Sequence, residues 1–384
     1  MKEKISILGS TGSIGLSTLS IIDKKKNLLK VYFLSANKNY KLICKQIIKY
    51  QPKYFIIKNK LIFNKVKKKF RSSNTIILNN YTFKNLPRLD IIIAAIPGID
   101  GLQPTLNVIK FTKKILIANK ESVICGWKLL KKEALKRKTK IIPIDSEHYS
   151  IFKLLEHENI KEIKKIYITA SGGPFLYYKK NQLLKIKPED TLKHPKWKMG
   201  KKITVDSATL MNKMLELVEA QKLFDLPISK LDILIHPESL VHAIIELKNG
   251  LKKFIYHDTS MVIPISNAIF ENDLDIESIY KNRNIDSKIV NNLSFEKVKS
   301  QTFPVIKLKT KINEFPSSAI IFNAINEILV DQFLNKKLPF ISISKTILGI
   351  LKVSNYKKYA IKSPRNIKEI IKIDKWARKN ILKN

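Results

Sequence analysis

Asp145, Ser146 and Glu147 close the apolar run of IIPIDSEH (141–148). In extended chain, residues i and i+2 point to the same side, so Asp145 and Glu147 would converge. Two hard oxygen donors this close suit Mg²⁺ or Mn²⁺; a solvated strand end or a helix cap is the plain alternative. A third carboxylate stands in VDSATLMNKMLELVEA (205–220), which reads as one helix capped by Asp206 or Ser207. Asn212 and Lys213 lie four and three residues before Glu216, so the three share one face. Leu210, Met211, Met214, Leu217 and Val218 supply the opposite, buried face. Ser, Asn and Lys beside a helix start could seat a phosphate, with Glu216 as a metal ligand one turn on; a solvated Lys–Glu face is the alternative.

GSTGSIG (9–15) follows the apolar run ISIL directly and opens a helix-like segment. Its G-x-x-G-x-x-G spacing is a variant of the dinucleotide fingerprint. Glycine permits the tight turn and lets backbone N–H groups approach a pyrophosphate, and the following helix N-terminus adds donors and partial positive charge. Ser10, Thr11 and Ser13 would add hydroxyl donors. NAD sites place Asp or Glu at the end of the second strand; VYFLSANKN instead offers Asn37, Lys38 and Asn39. A lysine there would attract a 2′-phosphate, which favours NADP unless Lys38 is one more surface lysine.

Three further segments carry chemistry. ANKES (118–122) ends the run KILI with Asn119, Lys120 and Glu121. In SGGPF (171–175), Ser171 and two glycines can form a nest of N–H groups for an anion. HPKWKMG (194–200) holds His194, Trp197, Met199 and Gly200 in a Lys-rich loop, where a tryptophan is either a lid over a ligand or an anchor on a core. His236 reads as shaping a turn before Pro237, His148 as a neighbour of the carboxylates, and His157, His242 and His257 as structural or solvated.

The elements that must position these residues are legible as patterns. Near-continuous apolar runs at 5–8, 31–34, 54–57, 90–96, 114–118 and 140–144 alternate with helical segments, which predicts a parallel sheet covered on both faces. From about 150 the runs 166–170, 231–235 and 242–247 mix with long loops, an α+β pattern. KNRNIDSKIVNN (281–292) is polar and weakly patterned, a linker candidate. Beyond 300, apolar residues recur at three and four, which predicts helices.

The 384 residues exceed what one core usually holds, so more than one domain is expected. No run is long and apolar enough for a transmembrane helix, and the start lacks the plan of a signal or transit peptide. Two cysteines, Cys44 and Cys125, form no disulfide framework and suit a reducing cytosol. Neither has a histidine nearby in sequence, which counts against a thiol-dependent semialdehyde dehydrogenase. The 72 Lys and Arg against 32 Asp and Glu give a formal net charge of +40, yet only six of the 72 are Arg. Nucleic-acid readers favour the Arg fork. Lysines spread along the whole chain read as compositional drift rather than a nucleic-acid surface.

In this order and spacing, ILGSTGSIG, ANKES, DSEH, SGGPF, HPKWKMG, DSATLMNK and LIHPES resemble the 1-deoxy-D-xylulose-5-phosphate reductoisomerase family, from residue 4 to at least 335. The last helical stretch is similar only in character. The resemblance implies an α/β chain with a Rossmann-like parallel-sheet domain for NADPH (1–148) and an α+β catalytic domain for substrate and metal (149–280). A linker (281–300) and a C-terminal helical domain (301–384) follow. It implies a cytoplasmic homodimer, without membrane or specific nucleic-acid partners, that rearranges and reduces 1-deoxy-D-xylulose 5-phosphate to 2-C-methyl-D-erythritol 4-phosphate in non-mevalonate isoprenoid biosynthesis. Thr11, Gly12, Ser13 and Ile14 would hold the cofactor pyrophosphate, and Asn37, Lys38 and Asn39 would face the adenosine phosphate. Asn119, Glu121 and Gly200 would also touch NADPH. Asp145, Glu147 and Glu216 would bind Mg²⁺ or Mn²⁺, with Co²⁺ a further option. Ser146, Lys120 and His194 would contact the sugar, with Ser171, Ser207, Asn212 and Lys213 on its phosphate. Lys120, His194 and the three acids form the implied catalytic set, and Trp197 and Met199 the closing loop. Ala170, Asn37, Pro97, Asp100 and Met214 depart from the family pattern without removing a group the mechanism needs.

Overall fold

The structure, a computed structural model, describes residues 2–83, 86–197, 199–271, 274–281 and 292–382. Residues 282–291 of the expected linker (281–300) lie outside the described residues. The chain divides into two compact units, and the first comprises Met1–Ser122, Trp127–Tyr149 and Ser260–Arg283.

Among its described residues the first unit holds strands β1 (Glu3–Leu8), β2 (Leu29–Ala36), β3 (Tyr54–Ile57), β4 (Ile76–Leu78), β5 (Leu89–Ala94), β6 (Thr112–Ile117) and β7 (Lys140–Pro143). They form one sheet in the order β4-β3-β2-β1-β5-β6-β7, parallel throughout. Its central residues, such as Ile5, Ile7, Phe33, Ile91, Ile92 and Ile93, are fully buried, as expected of a sheet with helices on both faces. The chain winds outward from β1 to β4 and then returns to β5, so the order reverses beside β1. Ligands of such sheets bind at the carboxyl ends of the strands near that reversal. That edge carries GSTGSIG after β1, Asn37–Asn39 after β2, Ala118–Glu121 after β6 and Ile144–Glu147 after β7.

The segment from Ser260 to Arg283 belongs to this unit, whereas the sequence reading grouped 149–280 together. The helix Val262–Phe270 buries Pro264, Ile265, Ala268 and Ile269 and packs on the helix Ser13–Lys24. Lys114 Nζ donates to Ile269 O at 2.6 Å and Lys24 Nζ to Ile279 O at 2.7 Å. Hydrophobic periodicity shows that a helix has a buried face, not which unit covers it.

The second unit comprises Val123–Gly126, Ser150–Thr259 and Asn284–Asn384. Its described strands are β8 (Ile163–Ala170), β9 (Leu231–Ile235), β10 (Val241–Leu247), β11 (Lys252–Tyr256) and β12 (Glu296–Lys297), in the order β11-β10-β8-β9-β12. β8 and β9 are parallel and the other pairings antiparallel. The C-terminal stretch is helical as predicted: Ser318–Leu334, Phe340–Gly349, Tyr356–Ala360 and Ile367–Leu382. The first of these is buried nearly all round and packs against the last, where Arg378 binds Glu327 and, at 2.7 Å, Asp374. Among the described residues no helix is long and apolar enough to cross a membrane.

Candidate active site

In the first unit, the glycine loop is shaped by two contacts that no side chain could survive. Gly9 has φ +87°, and a Cβ there would lie 2.6 Å from Ala95 O; a Cβ on Gly15 would lie 2.4 Å from Gly9 O. Gly12 is different: its Cβ would meet nothing closer than Gly9 O at 3.4 Å. The fold does not require glycine at 12, which leaves clearance for an outside group at the start of the helix Ser13–Lys24, where N–H groups lack intrahelical partners. Thr11, Gly12, Ser13 and Ile14 are all at least partly accessible. Ser10, expected to donate to a ligand, is instead fully buried. Its hydroxyl donates to Gln46 Oε1 at 2.7 Å, and Gln46 Nε2 returns a bond to Ser10 O at 2.9 Å. Asn37, Lys38 and Asn39 are exposed after β2, and Asn39 Oδ1 caps the helix Tyr40–Tyr50 by accepting from Leu42 N at 3.1 Å.

Asn119 and Glu121 are buried after β6. Asn119 Oδ1 caps the helix Lys120–Arg137 by accepting from Ser122 N, and its Nδ2 donates to Gly98 O at 3.0 Å and Glu121 Oε2 at 3.1 Å. Lys120 is the first residue of that helix.

The chain at 145–147 is not extended as the sequence reading assumed. β7 stops at Pro143 and a helix runs Ser146–Leu155. Asp145 precedes it and accepts from His148 N at 2.9 Å, a capping arrangement. The same oxygen meets His148 Nδ1 at 2.7 Å, and Ser146 Oγ donates to Glu147 Oε2 at 2.7 Å. Burial would raise the Asp145 carboxyl, but the His148 ring and the Lys120 charge outweigh it and hold the group well below the usual carboxylate range. It remains a charged oxygen donor. The fully buried His148 orients it.

In the second unit, the expected single helix 205–220 is two. Lys201–Ala208 ends, Leu210 turns the chain at φ +65°, and Met211–Phe224 begins. Asp206 and Ser207 therefore sit in the last turn of the first helix, not at the cap of the second. Asn212 Nδ2 donates to Glu216 Oε1, and Lys213 Nζ lies 2.8 Å from Glu216 Oε2, as the spacing predicts. The face is not solvated: Glu216 is 2% exposed and Lys213 8%. Buried charges are kept where they are paired and used. Glu219, which the sequence reading did not single out, is a further buried carboxylate three residues on; its i,i+3 spacing from Glu216 was the available signal.

His194 joins this helix pair to the SGGPF loop. Its Nδ1 accepts from Lys196 N at 3.2 Å and Trp197 N at 3.0 Å, so Nε2 carries the proton. Nε2 donates towards Ser171 Oγ at 3.1 Å and Ser207 Oγ at 3.2 Å. Each hydroxyl proton is thus directed to an acceptor other than the imidazole. Burial, with the Lys213 charge adding to it, pushes His194 down to about 4, so the ring is neutral near pH 7. Gly173, at φ +65°, lets the loop approach: a Cβ there would lie 3.1 Å from Ala208 Cα. Phe175 anchors the loop on Phe340, ring centroids 5.3 Å apart. Trp197 meets His242 edge-on at 6.0 Å, and a Cβ on Gly200 would touch nothing within 4 Å. His236 proves structural: Nδ1 donates to Ser294 O at 2.8 Å, while Nε2 accepts from Leu240 N and Val241 N.

A parallel sheet with a glycine loop after its first strand, and a unit bearing a seat of hydroxyls, lysine and neutral histidine, define the class of α/β dinucleotide-dependent enzymes with anionic substrates. Comparison with known proteins makes this specific. The 1-deoxy-D-xylulose 5-phosphate reductoisomerase family matches residues 5–126, its C-terminal domain matches 141–224, and a DXP reductoisomerase C-terminal domain matches 258–380. The 1-deoxy-D-xylulose 5-phosphate reductoisomerase of Pelagibacter ubique (strain HTCC1062) is 45% identical over 374 residues, 96% of each chain. That of Wolbachia sp. subsp. Drosophila simulans is 40% identical over 90% of this chain and 89% of its own. A solved structure of the Zymomonas mobilis reductoisomerase in complex with NADPH superposes with a TM-score of 0.88 at 30% identity, covering 99% of this chain and 98% of that one. A DOX-P reductoisomerase in complex with NADPH, fosmidomycin and magnesium gives 0.88 at 29%, with the same coverage. The chain belongs to the 1-deoxy-D-xylulose 5-phosphate reductoisomerase family. Its activity is the conversion of 1-deoxy-D-xylulose 5-phosphate to 2-C-methyl-D-erythritol 4-phosphate in isoprenoid precursor biosynthesis.

Proposed function

We propose that this chain carries out the conversion with NADPH and a divalent cation, Mg²⁺ or Mn²⁺, on the residues named from its motifs. Thr11, Gly12, Ser13 and Ile14 hold the pyrophosphate, and Asn37, Lys38 and Asn39 take the 2′-phosphate end. Asn119, Glu121 and Gly200 complete the cofactor contacts. Asp145, Glu147 and Glu216 ligate the cation, a set of hard oxygen donors that fits it. Solved relatives in complex with NADPH and with magnesium support both groups.

When bound, NADPH supplies the hydride and the cation supplies Lewis-acid polarisation of the substrate ketone. The remaining work falls to the chain. Ser171, Ser207, Asn212 and Lys213 bind the substrate phosphate, and His194 stays neutral while directing the two serine hydroxyls towards it. Remote binding energy of this kind orients the reacting carbons. Ser146 and Lys120 contact the sugar, and the Lys120 charge stabilises oxyanion character as the carbon skeleton cleaves and rejoins to a branched aldehyde. That aldehyde accepts the hydride. Trp197 and Met199 cover the bound substrate and exclude water.

The single observation that carries this reading is the His194 Nε2 donor shared by the Ser171 and Ser207 hydroxyls. NADPH oxidation with deoxyxylulose phosphate and Mn²⁺, with and without EDTA, tests the activity. Glu216→Gln is expected to abolish turnover while NADPH binding, followed by fluorescence, falls only modestly; undiminished turnover would remove Glu216 from the metal set. We also propose a cytoplasmic homodimer, which a sedimentation mass of one chain would refute.

A further inference from the structure

Asp206, the residue before Ser207, does not face solvent. It is 1% exposed, and its carboxylate accepts from Asn326 Nδ2 at 2.7 Å and pairs with Lys202 Nζ at 3.1 Å. Asn326 lies 120 positions further along the chain on the helix Ser318–Leu334, fully buried among apolar neighbours such as Phe322, Ile325 and Leu329. An amide in such a place costs free energy unless bonded, and so does a buried carboxylate. The bond satisfies an Nδ2 donor of Asn326 and, with Lys202, the Asp206 carboxylate, while Asn326 Oδ1 has no hydrogen-bond partner among the described residues; it forms one residue from a group of the phosphate seat.

The backbone around Ser207 is held locally by turn bonds, Thr209 N to Val205 O at 3.0 Å and Thr209 Oγ1 to Asp206 O at 3.2 Å, and by the burial of Val205 and Ala208. The Lys201–Ala208 helix ends there, Leu210 N donates to Ser207 O at 3.1 Å, and Leu210 then leaves the right-handed region at φ +65°. A turn between two helices can rotate about its ends. A charge-assisted bond from Asp206 to a separate, fully buried helix adds a side-chain tie across 120 positions that limits that freedom. Ser207 Oγ stands 3.2 Å from His194 Nε2, so a small rotation here would break the arrangement that directs the hydroxyl outward.

We propose that Asn326 is a positioning residue for phosphate recognition, acting through Asp206 to set the place of Ser207. This rests on the reading of Ser171, Ser207 and Lys213 as the phosphate seat. The C-terminal helices then serve the substrate as well as the fold, although Asn326 touches no ligand.

Asn326→Leu keeps the volume and removes the donor. The KM for deoxyxylulose phosphate is expected to rise about tenfold or more, the worth of a hydrogen bond to a charged group. The KM for NADPH is expected to stay nearly constant. The reciprocal exchange, Asp206→Asn with Asn326→Asp, restores the bond between the two positions with donor and acceptor reversed but not the Lys202 pair, and is expected to recover part of the KM lost in either single variant. It carries the test alone if the leucine variant does not fold. Ser207→Ala is expected to raise the same KM, and adding Asn326→Leu to it to raise it no further. A lowered melting temperature or active fraction with an unmoved sugar-phosphate KM overturns the proposal, because a purely structural role predicts that. An equal rise in both KM values, or an exchange variant that recovers nothing, also overturns it. If Ser207→Ala leaves that KM unchanged, the phosphate-seat reading fails first and the proposal with it.

Discussion

At the scale of single residues, the chemistry turns on which groups the fold leaves charged. Asp145 keeps its charge although it is partly buried, because His148 and Lys120 offset the desolvation. His194 loses its charge for the opposite reason: burial and the Lys213 ammonium both disfavour the imidazolium. Above the ordinary imidazole value of 6.5 both folded and unfolded chains carry a neutral ring, and nothing is lost. Between 6.5 and about 4 the unfolded chain binds a proton that the folded one refuses, so stability falls as pH falls through that window. His236 and His242 are lowered too, by burial first, and add to the same slope. His194→Asn, which keeps a donor and cannot titrate, is expected to reduce the dependence of unfolding free energy on pH by up to one proton between pH 4 and 6.5. Denaturant unfolding across that range measures it, and an unchanged slope would mean that His194 is protonated in the folded chain.

At the scale of elements, most strands and the late helices were legible because their signals are local. Apolar runs at 5–8, 31–34, 54–57 and 114–118 became buried parallel strands, and helical periodicity beyond 300 became helices. What escaped depended on context. β4 is three residues long, and β11 has largely exposed residues, so neither gives a run or a clean alternation. The break at Leu210 was invisible because a leucine at positive φ has no sequence signature; glycine or asparagine would have shown it. DSEH read as extended because a carboxylate pair at i, i+2 looks alike at a strand end and in a first helical turn. Ser10 read as a ligand donor because nothing in GSTGSIG tells that Gln46 lies beneath it. The loop itself shows how far its glycines are separable. Gly15→Ala puts a methyl 2.4 Å from Gly9 O and 2.6 Å from Ser10 Cα, both backbone, so the loop must move. That variant is expected to raise the KM for NADPH at least tenfold, about 1.4 kcal/mol. Gly12→Ala has room within the fold, so any loss of cofactor affinity there measures crowding by the cofactor alone. Equal tolerance of alanine at both positions, by NADPH titration, would contradict this division of roles.

At the scale of the whole molecule, the two units are interleaved along the chain: the first takes residues from the N-terminal half and then again from Ser260–Arg283. The late segment is more than a tail. Its helix Val262–Phe270 buries Ile265 and Ile269 and lies on Ser13–Lys24, the helix that opens the glycine loop. Lysines 24 and 114 reach into it to bond backbone carbonyls, tying it to the sheet and to that helix. A fragment ending at Tyr149 would therefore contain every strand of the parallel sheet and still lack part of its cover. Two fully buried isoleucines are worth about 3–6 kcal/mol together, at about 1.5–3 each. That is a large part of the stability of a typical domain. The fragment 1–149 is expected to bind a hydrophobic dye and to unfold without a sharp transition. The same fragment joined through a Gly/Ser linker to 260–283 is expected to unfold cooperatively and to bind NADPH. Calorimetry and cofactor titration on the two fragments decide the matter. If the bare fragment melts as sharply and as high as the joined one, the late helix is an ornament on a self-sufficient sheet, and the nucleotide-binding region ends where the sequence pattern first changes.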